Sequence, residues 1–410
     1  MKGKNLTEDR HLLLISLDAV SDEDVDYLLE QPNFSELCSK GTLMREVESV
    51  FVSNTYPAHT SVVTGVHPQK HGLIENVFTQ PGNDDPEWRY DSKYVHAPTL
   101  YDMAKSHGKT ICSILYPVMC GADVDWNFPE VPGKMSIIKR AATMLCGGNA
   151  AFILSTIGQF IKTVRRISVS DLDNFTTKVA SDALCRYKPG LTMVHLLDVD
   201  NQKHAYGPHS KEAQNALKRH DQRIGDLAKA WTKAYPDKSL QMIIFSDHGC
   251  LDVNEAFDPN EYLKRKGFIH GQGKKPSDYD AFFHNAGGTA FLKVYKPEQR
   301  KTIVKTASDI LLEPYVRRML TTDEMKVSGM DNEFEFGIEA AEGFCFGKYH
   351  KGQHGYSLKH KGYQPFYLAI GRGVKPGKIE KGGGIIDICP LAADLLNIPK
   401  WEMDGQNRLF

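Results

Sequence analysis

Three acidic positions in this sequence follow short apolar runs that read as strands. They are Asp18 after His11–Leu17, the Asp198/Asp200 pair after Leu191–Leu197, and Asp247 after the run LQMIIFS. An Asp in such a place is commonly a turn or cap residue, but two of these have histidine close by. Asp200 and His204 are four apart, so a helical turn puts both on one face, where they can hold one ion. Asp247 and His248 are adjacent in FSDHG, where a chain turning out of a strand lets both heads converge. His354 sits in the loop sequence GQHGY. Mixed Asp and His donors suit zinc, and manganese or iron less strongly. His107, His220 and His284 have no such partners and are expected on the surface or hydrogen-bonded.

The stretch from Phe51 to Phe78 adds a candidate nucleophile. Its Ser-Asn-Thr run precedes Pro57 and an apolar, helix-like segment ending at Gly65. Proline suits a first helical turn, which places Thr55 at the helix N-terminus, either as a plain cap or where backbone N–H groups favour a bound phosphate or an attacking alkoxide.

The elements that must position these residues alternate between short apolar runs and helical patterns, the mark of an α/β sheet protein. Strands are expected at His11–Leu17, Thr110–Tyr116, Leu191–Leu197, from Leu240 to an end at Asp247 and His248, and at Gly288–Tyr295 and Pro365–Ile370. Helices are expected at Ala97–His107, Asp171–Tyr187 with Asp171 as cap, Lys211–Ala234 and Ile386–Leu396. In open α/β sheets, ligands lie beyond the carboxyl ends of the strands, where the acids fall. Two stretches break the rhythm: 124–169, a mixed and partly apolar helical insertion, and 257–346, a charged, Gly-rich peripheral lobe. Both are expected as inserts in one catalytic domain spanning 1–410.

Composition excludes several classes. The chain has 410 residues, 50 Lys and Arg against 51 Asp and Glu, and a net charge of −1, so a dedicated binder of nucleic-acid polymers is not expected. With 34 Gly and 20 Pro it is not low-complexity. Eight cysteines are scattered with no CxxC, which favours reduced, buried thiols. The apolar stretch LLLISL is too short for a signal peptide, and no apolar span is long enough to cross a bilayer. The nearest approach, 150–161 followed by Lys162, Arg165 and Arg166, reads as a half-buried helix, with an interfacial membrane helix as its alternative. A cytoplasmic location is the expectation. No GxxxxGK[ST] or GxGxxG follows a strand.

Taken in order, the motifs resemble the nucleotide pyrophosphatase/phosphodiesterase branch of the alkaline phosphatase superfamily. They are Thr55-Tyr56-Pro57-Ala58-His59, Thr64-Gly65, His71-Gly72, Asp200-x-x-x-His204-x-x-Gly207-Pro208, Ser246-Asp247-His248-Gly249, His354-Gly355-Tyr356 and Asp404-Gly405. The resemblance implies an alkaline phosphatase-like three-layer sandwich, with a central mostly parallel sheet, helices on both faces and peripheral inserts. It also implies two zinc ions, with manganese or iron possible in one site: Asp18, Asp247, His248 and the Thr55 oxygen around one, and Asp200, His204 and His354 around the other. Asn76 matches the asparagine that binds a nonbridging phosphoryl oxygen, and Tyr56 the aromatic position flanking a nucleobase or other leaving group. Asp198 ranks below Asp200, which alone has the family's spacing to His204. The implied activity is hydrolysis of small phosphodiesters or phosphoanhydrides through a phospho-threonine intermediate.

Relatives with other chemistry fit less well. Cys389-Pro390 lacks the sulfatase pattern, and no arginine is placed by motif for an alkaline-phosphatase-type monoesterase. A phosphonoacetate hydrolase would share the threonine and the metal set. A non-catalytic metal-binding protein would have lost a ligand or the nucleophile, and none is missing.

Overall fold

The structure, a computed structural model, describes residues 10–163 and 168–410. Arg165, Arg166 and the first nine residues lie outside it. The central sheet is built on β1 (Leu12–Leu17), β2 (Thr42–Arg45), β3 (Ile111–Ile114), β4 (Trp126–Phe128), β5 (Leu191–Leu196) and β6 (Met242–Phe245), completed by the strands Tyr367–Ile370 and Lys378–Lys381. Their order across the sheet is Lys378–Lys381, β2, Tyr367–Ile370, β6, β1, β5, β3, β4. Only Tyr367–Ile370 runs antiparallel to its neighbours; β1 pairs in parallel with β5 and β6, and β3 with β5 and β4.

β1 shows why a continuous apolar run sits at the centre. Leu13, Ile15 and Leu17 enter the core on one face, beneath the helices Val169–Tyr187 and Lys211–Ala234. Leu12 and Leu14 enter the core on the other, beneath Leu100–Ser106 and Ile388–Leu396. Sheets with helices on both faces are buried on both, so their strands lose the polar alternation of a half-exposed sheet. The expected three-layer architecture is the one observed.

Several local expectations shift. Helix Val169–Tyr187 starts two residues early because Ser168, not Asp171, is its cap, the Ser168 side chain accepting the Asp171 N–H. The stretch 124–169 is not wholly an insert, since Trp126–Phe128 is the edge strand of the central sheet; the helices Ile137–Gly147 and Ala150–Phe160 follow it. Thr289–Val294 belongs to a separate antiparallel sheet in the lobe, in the order Val316–Met319, Phe336–Ala340, Thr289–Val294, Ala281–Asn285. Short strands Glu255–Phe257 and Phe344–Phe346 pair at the neck of that lobe, bringing its two ends together. All eight cysteines are unpaired, five of them buried, but Cys146 is exposed.

Candidate active site

The acid-bearing strands β6, β1 and β5 are adjacent, so their carboxyl ends deliver Asp247, Asp18 and the segment carrying Asp200 to one place. Asp200 and His204 lie one turn apart on the helix Asp198–Tyr206, with His204 Nε2 3.2 Å from Asp200 Oδ1. His354 follows the short strand Gly352–Gln353, which pairs with Leu251–Asp252 just after His248. Gly249 and Gly355 let the chains close in: a Cβ at the first would meet the Tyr363 carbonyl, and at the second, where φ is +81°, the Ala286 carbonyl.

Two triplets of potential ligand atoms result, each within a 4.8 Å span: Asp18, Asp247 and His248, and Asp200, His204 and His354. The His248 and His354 rings stack between them with centroids 4.1 Å apart. Thr55 opens the helix Thr55–Thr64, with Asn54 as N-cap, and its Oγ1 is 3.4 Å from His248 Nε2. The seven residues expected to hold metal thus converge.

The donor set fits divalent cations. Asp18 is 1 % exposed and Asp247 0 %, yet Asp18 Oδ1, Asp247 Oδ2 and Asp200 Oδ1 have no hydrogen-bond partner. Among the described residues, no Lys or Arg pairs with any of these carboxylates. Buried carboxylates without compensation are costly, and burial, then the Asp247 and Asp200 charges, push the Asp18 carboxyl well above its usual range. The histidines are preset as ligands. His204 Nδ1 donates to the Gly352 carbonyl at 2.8 Å, His248 Nδ1 to the Gly249 carbonyl at 3.1 Å, and His354 Nδ1 to Asn54 Oδ1 at 2.7 Å. Each bond fixes the ring and its tautomer and leaves Nε2 for an ion.

A supporting layer was not visible in the sequence. His195 lies against Asp18, its Nε2 3.1 Å from Asp18 Oδ2 and its Nδ1 3.3 Å from the Leu115 carbonyl, and as a neutral ring it donates to one of the two. His59 donates to the Thr55 carbonyl at 2.7 Å and receives the Ser16 hydroxyl. Burial lowers both imidazoles to about 3, so they remain neutral brackets at physiological pH. Asn54 donates to both oxygens of buried Glu75, linking the nucleophile segment to His354. Lys203, 1 % exposed, donates to the Ala19 carbonyl and to Asp24, which ties the loop after Asp18 to the helix carrying His204.

Asp198 stays outside the triplets, paired with Arg219 and Arg223. Beside it, buried Asp173 accepts the N–H groups of Leu197 and Asp198 and lies 3.4 Å from Arg223. Removing one partner of a buried ionic network leaves the other uncompensated. Asp173→Ala is therefore expected to lower stability by about 3 kcal/mol, read from chemical denaturation.

Asn76 is held by an interaction of its own: its Oδ1 accepts the Tyr56 N–H at 2.8 Å, leaving the amide –NH2 free to donate. Tyr56 is 1 % exposed, packs against Trp88, and donates to Glu130 at 3.2 Å. It has no open face in this conformation. Burial raises Glu130 to about 7, an acidic group beside the nucleophile helix that no motif marked. His220 and His284 are buried and hydrogen-bonded, whereas His107 is exposed.

Comparison with known proteins bears on the family and the fold. The family model for type I phosphodiesterase / nucleotide pyrophosphatase matches residues 12–335. The chain belongs to that family. Ectonucleotide pyrophosphatase/phosphodiesterase family member 7 of Rattus norvegicus is 22 % identical over 97 % of this chain and 86 % of its own length. Family member 5 of Homo sapiens is 23 % identical over 97 % and 76 %. A bis(5′-adenosyl)-triphosphatase of Bos taurus is 26 % identical over 61 % of this chain and 51 % of its own length. Among solved structures, an inactive variant of murine ectonucleotide pyrophosphatase/phosphodiesterase 5 in complex with AMP superposes with a TM-score of 0.69, at 18 % identity and 97 % coverage of each chain. That likeness establishes the shared fold.

Proposed function

We propose that this family member is a two-cation hydrolase of small phosphodiesters or nucleotide phosphoanhydrides, with Thr55 as its nucleophile. The observation that carries the reading is the position of Thr55 Oγ1, at a helix N-terminus and 3.4 Å from His248 Nε2, beside two triplets of Asp and His. Asp18, Asp247, His248 and Thr55 would hold one ion, and Asp200, His204 and His354 the other. Zinc suits this donor set, with manganese or iron as alternatives in one site. Such ions, when bound, lower the pKa of a coordinated hydroxyl or water and neutralise charge on the phosphoryl group.

The protein's own contribution is positioning. The Thr55 hydroxyl gives up its proton and its oxygen attacks phosphorus, forming a Thr–O–P bond as the leaving oxygen departs with its electron pair and takes a proton from solvent. Water then cleaves that bond and returns the proton to Thr55. The free –NH2 of Asn76 donates to a nonbridging oxygen, where negative charge is spread in the transition state. One uncharged donor suits a diester better than a monoester dianion. Compartment is a separate proposal: the unpaired cysteines support a cytoplasmic enzyme, whereas the relatives are named as ectoenzymes. Cell fractionation tests it.

The purified protein should cleave p-nitrophenyl thymidine monophosphate with a higher kcat/KM than p-nitrophenyl phosphate or phosphonoacetate. A preference for either of the latter overturns the diesterase reading. Asn76→Asp keeps an acceptor for the Tyr56 N–H but replaces the donor with a negative charge. Steady-state kinetics of that variant should show kcat lower by at least about 10²-fold at an unchanged melting midpoint.

A further inference from the structure

The helix pair between the edge strand β4 and the helix Val169–Tyr187 carries a surface that the catalytic site does not use. In the helix Ile137–Gly147, Ile137, Ala141 and Leu145 share a side with Ile138 and Ala142 at three- and four-residue spacing, while Lys139, Arg140 and Thr143 take the other side. Such a stripe ordinarily faces a core, yet no residue of this helix is buried. Ile137 is 88 % exposed and Ile138 83 %. The helix packs against Ala150–Phe160, which buries Phe152, Ile153 and Thr156 but leaves Leu154 60 % exposed, and Ile161 just beyond it is 50 % exposed. Five large aliphatic side chains on one insert, Ile157 among them, form an apolar surface of the kind that marks an interaction site.

The charge around it narrows the partner. Over 131–163 the sequence has no Asp or Glu, and its four Lys and Arg, Lys134, Lys139, Arg140 and Lys162, are all exposed, in a chain whose total charge is −1. A second copy docking by a two-fold contact would set this basic surface against itself. An anionic lipid surface answers both features, since amphipathic helices with basic flanks lie in the headgroup plane. No described helix is long and apolar enough to cross a membrane, so the contact is superficial. Under the pair lies a cavity of about 570 Å³ whose walls include Phe128, Glu130, Arg140, Met144, Ile157 and Leu197. Glu130, which accepts from Tyr56, and Leu197, which precedes the helix bearing Asp200, are part of that wall.

We propose that the helix pair 137–160 is a docking element for anionic membrane surfaces, holding the active site beside the bilayer. The test is co-sedimentation of the full-length protein with vesicles of phosphatidylcholine alone and of phosphatidylcholine with about one-third phosphatidylserine. Binding should be at least about tenfold stronger to the anionic vesicles and should weaken as salt rises. The triple variant I137E/I138E/L154E changes only exposed positions. It should lose at least about tenfold in vesicle binding, with diester hydrolysis in solution and the melting midpoint unchanged. Equal binding by the variant, or no preference for anionic vesicles, overturns the proposal. So does self-association of the wild type, abolished in the variant, without vesicle binding.

Discussion

Thr55→Ala should abolish turnover of p-nitrophenyl thymidine monophosphate, with kcat falling by at least about 10³-fold, because the chemistry loses its attacking atom. The fold should survive. Thr55 is half-buried at the first position of its helix, and among the described residues its hydroxyl comes within hydrogen-bond distance of one side chain, His248, in a long 3.4 Å approach. The bonds that hold the segment lie elsewhere: Asn54 to Glu75, Asn76 to the Tyr56 N–H, and His59 to the Thr55 carbonyl through the backbone. None needs the hydroxyl. Steady-state kinetics beside thermal unfolding checks both halves, and Thr55→Ser should recover part of the rate because it restores an oxygen at the same place. A Thr55→Ala enzyme with wild-type turnover would put the nucleophile elsewhere.

The second large effect is the loss of divalent cations. Treatment with a strong chelator should eliminate hydrolysis, and zinc should restore it. The melting midpoint should fall as well, because Asp18 and Asp247 are buried carboxylates with oxygens that meet no donor, and with no Lys or Arg opposite them among the described residues. A ligand that binds only the folded chain stabilises it by about 4 kcal/mol at a thousand times its Kd. Metal analysis of the untreated protein should find close to two equivalents per chain. Full activity after exhaustive chelation would remove the cations from the account.

Much of this site could be read from the sequence because its ligands sit where the topology forces them. Strands β6, β1 and β5 are short, wholly buried and mostly apolar, so the acid following each run is conspicuous, and the four-residue step from Asp200 to His204 survives as one turn of helix. The supporting layer left no such mark. His195 is one residue inside β5, His59 lies in a helix, and Glu130 follows the edge strand. What makes each matter is a partner far away in the chain, as with His195 and Asp18, 177 positions apart.

Where local signals misled, a competing partner explains the difference. Asp171 is acidic and near a helix start, but Ser168 is three residues earlier and accepts its N–H. The run Gly288–Tyr295 has a strand's composition, and composition cannot say which sheet receives it; the lobe does, through Ala281–Asn285 and Phe336–Ala340.

The central claim is that phosphorus passes through a bond to Thr55 before water takes it. The stereochemical course of the reaction tests this most directly. A diester made chiral at phosphorus with sulfur and isotopic oxygen, hydrolysed in labelled water, should give net retention of configuration, because two in-line displacements each invert the centre. Net inversion would mean that water attacks the substrate directly, and the covalent role of Thr55 would be contradicted.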